Sequence, residues 1–226
     1  MEGMSGMPMD MPGMDMGPAP WTPAYAFSVF LMWAIMMVAM MLPTALPMIL
    51  LYARVAAQRE TATALPPTFV FVAGYVAVWT AFSALAAGTQ WGLTTLGVVN
   101  DAMRFDGRLA GGMLLIGAGA YQLTPLKRIC LTHCRTPFEF LTLHWRPGTR
   151  GALGMGLNHG AYCVGCCWFV MALLFVGGVM HLGWVAAIAA FVLAEKVLPF
   201  GQRVGQAAGV VAMLAGLLFV ATTLRA

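Results

Sequence analysis

Charge is what this sequence has least of. Asp, Glu, Lys and Arg together make up 9% of its 226 residues, and the acidic residues number only 8. A soluble globular domain carries roughly a quarter of its residues as charges, so a water-facing surface wrapped around a core is excluded. No internal repeat is visible, which excludes a solenoid. Residues 1–20 contain no Lys or Arg and no apolar run, so they do not read as a secretory signal, which needs a basic start and an apolar centre. The formal charge of +4 lies in loops. It reads as a topology signal rather than a nucleic-acid footprint, and no nucleic-acid partner is expected.

Hydrophobic residues make up 61% of the chain. Charge-free stretches recur at about 24–51, 68–99, 109–126, 152–180, 182–194 and 204–224. At about 20 apolar residues per bilayer crossing, the expectation is an all-α integral membrane protein, a compact bundle of about six transmembrane helices. Little is left over for a soluble catalytic domain. Two parts are expected: a disordered Met-rich periplasmic tail over 1–20, and a single transmembrane helical domain over 21–226.

Six crossings with the N-terminus outside put Arg54, Arg59, Lys127, Arg128, Arg135, Arg146, Arg150, Lys196 and Arg203 on the cytoplasmic side. Only Arg104, Arg108 and Arg225 fall outside, a positive-inside bias that places the chain as a multi-pass protein of the bacterial inner membrane with a periplasmic N-terminus. Pro43 and Pro47 predict a kink or local unwinding in the first span, because each removes a backbone donor. Gly111, Gly112, Gly117 and Gly119 predict close helix contact in the third span. The third span is expected to continue through "CLTHC". After it, "TPFEFLTLHW" reads as a short interfacial helix with Phe138, Phe140, Leu141 and Trp145 against lipid.

The fourth span carries "NHGAYCVGCCW", residues 158–168. At 3.6 residues per turn, Met155, His159, Cys163 and Cys166 fall in one narrow stripe with Cys167 at its edge. His159 and Cys163 stand at i, i+4, a spacing that offers one ion two ligands. The plain alternative is that cysteines are small packers in an apolar helix. Three of them with a histidine on one face favour a metal site, since ionisable groups in a membrane are costly and usually have a partner or a purpose. Cys130, His133 and Cys134 form a second cluster at the inner end of the third span; the alternative there is an exposed pair of reduced thiols. Glu195 and Lys196 fall in the same inner half, with Glu195 able to pair with Lys196, with a loop Arg or with a bound cation. These groups reach one site only if the third, fourth and fifth spans pack together.

Methionine is concentrated in two places. Met4, Met7, Met9, Met11, Met14 and Met16 crowd the tail, and thioethers are soft neutral donors that favour Cu(I) over hard cations. The first span holds Met36, Met37, Met40 and Met41, with Met32 and Met48, on one half of its cylinder. They read either as ordinary packing and lipid contact or as a thioether path from the tail toward the inner side.

"MMVAMMLPTALPMILLYA", "YQLTPLKRICLTHCRTPFEFL" and "NHGAYCVGCCWFVMALLFVGGVMHLGWVAAIAAFVLAEKVLP" together resemble a bacterial family of unknown function described as predicted metal-binding integral membrane proteins. The resemblance spans about residues 25–200. It implies a compact multi-helix fold and a metal site at positions 159, 163, 166, 167, 130, 133, 134 and 195 of this chain, without naming a metal or a reaction. Members of that family carry Asn where this chain has His181, a difference that is either neutral or adds an outer ligand.

The expected function is Cu(I) handling. The tail would collect the ion outside, and an inner Cys/His site would hold it for transport or for delivery to a copper chaperone or apo-cuproprotein, by ligand exchange without covalent chemistry. One alternative is a membrane thiol-disulfide oxidoreductase using Cys163/Cys166 and Cys130/Cys134 with a quinone. Its weakness is that thiols inside an apolar helix are poorly reactive. Another is a non-catalytic assembly or sensor subunit with a structural metal, for which Zn(II) on Cys and His would also serve.

Overall fold

The structure of the protein, a computed structural model, describes residues 21–59, 65–99, 103, 105 and 107–225. The Met-rich tail, with Met4, Met7, Met9, Met11, Met14 and Met16, lies outside the described residues, as does Arg104. The described residues are overwhelmingly helical, and apart from one isolated bridge between Val99 and Phe105 they contain no strand pairing.

The long helices are α1 (Pro23–Arg59), α2 (Leu65–Thr95), α6 (Gly148–Ala172) and α9 (Gly201–Leu224). Between them lie α3 (Arg108–Leu123), α4 (Pro125–Arg135), α5 (Pro137–His144), the single turn α7 (Leu174–Gly177) and α8 (Leu182–Val197). Four stretches are long and apolar enough to cross a membrane: Pro23–Arg59, Pro66–Thr95, Gly148–Gly177 and Gly201–Leu224. A fifth arises if α3 and α4, bent by 64° at their junction, count as one broken span. Six is not reached, because α8 has only 16 residues where a perpendicular crossing takes about 20. The outward face of α9 is apolar, with Val211, Leu214, Leu217 and Leu218 exposed. An exposed apolar surface of that kind is suited to lipid and not to water.

Two sequence expectations are corrected here. The third span does not run straight through "CLTHC". Thr124 is extended, as a residue preceding proline tends to be, and it closes α3 while capping α4 by accepting from the Lys127 amide at 3.3 Å. Pro125 takes the first turn of α4, where its missing donor costs nothing. The helix after it, α5, is also oriented differently from the lipid-facing reading. Phe138 and Leu143 are exposed, but Phe140 and Leu141 turn inward and join Tyr52, Phe71 and Met155 in a buried cluster. Trp145 stacks on Tyr52 with ring centroids 5.5 Å apart. The first span runs as unbroken helix through Pro43 and Pro47. Beside Pro43, Thr44 Oγ1 and Tyr75 Oη both donate to the Met41 carbonyl, at 2.8 and 3.0 Å.

Glycine sets how closely the helices approach. Gly112 faces Gly216, and Gly119 faces Gly209, so α3 and α9 meet backbone to backbone. On the other side, Gly156 of α6 sits against the Phe71 carbonyl of α2, and a Cβ at Gly160 would reach Val78 at 3.0 Å. That seam lowers Tyr75 of α2 onto Cys163 of α6. The main core then fills with Trp33, Met37 and Met41 of α1, Tyr75 and Trp79 of α2, and the three cysteines of α6.

A buried ion pair ties α4 to α8. Lys127 Nζ donates to both oxygens of Glu195 at 2.8 Å, with both side chains almost wholly inaccessible. At the other end of α4, Arg135 donates to the carbonyls of Leu198 and, at 2.9 Å, Pro199 in the turn after α8.

Candidate metal centre

Sulfur gathers where α1, α4 and α6 meet. The stripe of α6 faces inward as its spacing requires, with Met155, His159, Cys163, Cys166 and Cys167 all buried. Across the interface with α4, Cys134 Sγ lies 3.9 Å from Cys166 Sγ. Across the interface with α1, Cys167 Sγ lies 4.0 Å from Met41 Sδ. The thiols of Cys166 and Cys167 both donate to the Cys163 carbonyl, at 3.1 and 2.8 Å, which points their sulfurs along one side of the helix. All five cysteines of the chain are free thiols.

Cys163 has a different setting from its neighbours. Its sulfur is 3.1 Å from Tyr75 Oη and 2.9 Å from Lys196 Nζ. The same ammonium donates to Thr44 Oγ1 at 3.0 Å, so α1, α2, α6 and α8 all contribute to this corner. Tyr75 and Thr44 had no place in the sequence reading. Lys196 had one only as an inner-side charge and as a partner for Glu195, and it turns to Cys163 instead. A lysine embedded in "AAFVLAEKVLP" was the available signal, since an ionisable group among apolar residues marks a functional position by default.

The remaining candidates are dispersed. Cys130 is buried against Gly165 of α6, where its sulfur would stand 2.8 Å from a Cβ, so it backs the stripe without facing the other thiols as Cys134 does. His159 is one turn from Cys163 and is enclosed by the rings of Phe71, Tyr75 and Phe140, at centroid distances of 6.2, 5.7 and 6.0 Å. His133 stands apart. Its ring stacks on Tyr162 at 4.2 Å, and its Nδ1 is 3.0 Å from the Ile129 carbonyl. Both oxygens of Glu195 are taken by Lys127, so this carboxylate is held as half of an ion pair and not directed at the sulfurs. On α1, Met37, Met40, Met41 and Met48 are buried and Met36 is partly so, which puts most of the methionine stripe in the core and away from lipid. His181 caps α8, its Nδ1 accepting from the Trp184 amide at 3.0 Å, a task for which Asn is also well suited.

Among the described residues, no three His, Cys, Asp or Glu side chains converge as a metal-holding set. What the structure offers is a line of sulfur donors, thiols and a thioether, arriving from separate helices. Soft donors in small number suit a soft monovalent ion.

The fold and this corner define a helical protein, with several helices of membrane-crossing length, whose interior carries a sulfur cluster with Lys196 beside it. Residues 30–219 match the PpoB2 family, described as copper chaperone. The chain belongs to that family, which supports copper as the ion it handles. No curated protein and no solved structure matches it.

Proposed function

We propose that this protein is a membrane-embedded Cu(I) carrier whose holding place is the sulfur cluster of Cys134, Cys163, Cys166, Cys167 and Met41. The observation that carries the reading is the meeting of sulfurs from three helices, 3.9 Å apart between Cys134 and Cys166 and 4.0 Å apart between Cys167 and Met41. Two sulfurs at such a separation can share one ion, each about 2.3 Å from it, the usual length of a metal–thiolate bond. Copper is the cargo, and movement is ligand exchange: an ion leaves one sulfur as it gains the next, with no bond to carbon made or broken. The buried methionines of α1 lead to Met41 and supply the neutral donors on the approach. With the N-terminus outside a bacterial inner membrane, as the distribution of Lys and Arg supports, the tail methionines act as the collector and a copper chaperone or apo-cuproprotein takes the ion afterwards.

Two variants test the route separately. Met41→Leu keeps the volume of the side chain and removes the thioether, so it is expected to slow Cu(I) arrival at the thiols severalfold while leaving the number of ions bound unchanged. Stopped-flow mixing of the detergent-solubilised chain with a Cu(I)–chelator complex reads this directly, and an unaltered rate removes Met41 from the path. Deleting residues 2–19 is expected to lower copper accumulation by cells at limiting external copper. If accumulation stays at the full-length value, the tail is not the collector.

Thiol-disulfide exchange is the second reading, and one observation favours it. Cys134 and Cys166 form a facing pair between helices, a different pairing from the within-cluster pairs that spacing alone pointed to. Closing them would pass two electrons and two protons to an oxidant such as a quinone. Mass mapping of the chain after exposure to a short-chain quinone distinguishes it: a Cys134–Cys166 crosslink supports exchange, and unmodified thiols with bound copper support carriage.

A further inference from the structure

Where α8 ends and α9 begins, the fold leaves a polar cavity that copper handling does not use. Its volume is about 550 Å³, and it is lined by Arg135, Pro199, Phe200, Gln202, Arg203 and Gln206. Arg135 is the last residue of α4, and one nitrogen of its guanidinium is spent on the carbonyls of Leu198 and Pro199. That contact fixes the group at the cavity wall and leaves its other nitrogens free to donate. Arg203 lies in the first turn of α9 and is exposed. The ion pair among the described residues is Lys127 with Glu195, so neither arginine is neutralised by a described carboxylate. No acidic side chain lines the cavity either.

The geometry points to a binding site for the phosphate of an anionic phospholipid, held by Arg135 and Arg203. Guanidinium groups present paired donors that match phosphate oxygens, and two of them here face no competing anion. Gln202 and Gln206 stand at i, i+4 on α9 and add neutral amide donors for the rest of the headgroup. Two features select a lipid over a soluble anion. Val197 and Phe200, at the same turn, are apolar and more than half exposed. A soluble anion gains nothing from them, whereas an acyl chain covers them. The distribution of Lys and Arg supports a cytoplasmic setting for this turn, and basic pockets between membrane helices on that side take up anionic headgroups. A zwitterionic headgroup would bring its own ammonium beside two guanidiniums and is disfavoured. This assignment stands or falls whether or not the sulfur cluster holds copper.

Native mass spectrometry of the full detergent-solubilised chain, titrated with phosphatidylglycerol or with phosphatidylcholine of the same acyl chains, reads the lipid retained per chain. Wild type is expected to hold phosphatidylglycerol about tenfold more tightly than phosphatidylcholine, and Arg203→Gln to weaken phosphatidylglycerol about fivefold. Arg203→Glu, which reverses the charge, should weaken it further. Arg128 is also exposed, but it lies outside the cavity lining. Arg128→Gln therefore changes the net charge of the chain equally and should leave the affinity nearly as it was. Both sites are at the surface, so the fold should withstand either change. Equal affinity for the two lipids, or equal weakening in Arg128→Gln and Arg203→Gln, overturns the inference. Displacement of phosphatidylglycerol by millimolar inorganic phosphate, against chloride at matched ionic strength, would make the cavity a site for soluble oxyanions and overturn it as well.

Discussion

A chain with Cys163, Cys166 and Cys167 all replaced by serine binds Cu(I) about a hundredfold more weakly than wild type or worse, a loss of roughly two decades in affinity. Serine oxygen is a hard donor of similar size, so the change removes softness while sparing shape. The fold should tolerate it, because Cys166 and Cys167 each donate to the Cys163 carbonyl and a serine hydroxyl donates to the same acceptor more strongly. Any one replacement is expected to do far less, since at least one of the facing pairs Cys134–Cys166 and Cys167–Met41 stays intact. The measurement is copper per chain after gel filtration in the presence of a competing chelator, with helical content from circular dichroism as the control. Retention of a full equivalent of copper by the folded triple variant would refute the sulfur cluster as the holding place.

The second large effect is on stability. Glu195→Ala leaves the Lys127 ammonium buried without its carboxylate. Breaking a buried pair from one side costs about 3–5 kcal/mol, mostly because the surviving charge is stranded. For a chain of this size that corresponds to a fall in melting temperature on the order of 10 °C. Replacing both partners, Lys127→Met with Glu195→Leu, strands nothing and should recover most of the loss. Thermal unfolding followed by loss of the monodisperse gel-filtration peak gives both numbers. A single variant that melts within a degree or two of wild type would mean that the pair is not closed in the folded protein.

Helix α6 was the most legible part of the site, because the inward stripe of Met155, His159, Cys163 and Cys166 follows from helical spacing alone and all four are buried. The neighbourhood of Cys134 with Cys166 was stated only as a condition, since spacing along one helix says nothing about which helix packs beside it. Lys196 shows the same limit: its local neighbour is Glu195, yet both residues satisfy their charges across helices and in opposite directions, Glu195 to α4 and Lys196 to α6. The sequence expectation of a crossing at α8 was nearly right in extent, but its 16 residues fall short of the length that marks a membrane-crossing helix. The bend at Thr124 was signalled by the Thr-Pro dipeptide, which restricts the residue before proline to extended backbone. The apolar pattern around it was continuous and masked the break. In α5, Phe140 and Leu141 were assigned to lipid because composition alone does not say which face of an apolar helix meets protein; the stacked rings of Tyr52 and Phe71 decide that.

The fastening of α4 at both ends, through Lys127 to Glu195 and through Arg135 to the Leu198 and Pro199 carbonyls, has a consequence for biosynthesis. These two fastenings of α4 reach residues some sixty positions downstream of it, while its packing on α6, through the His133–Tyr162 stack and Cys130 against Gly165, is encoded nearer. A nascent chain that has inserted α1 to α6 already displays all its cysteines but lacks these two fastenings. The full fastening of α4, and the Lys196 contact to Cys163, are therefore in place only after α8 has emerged from the ribosome.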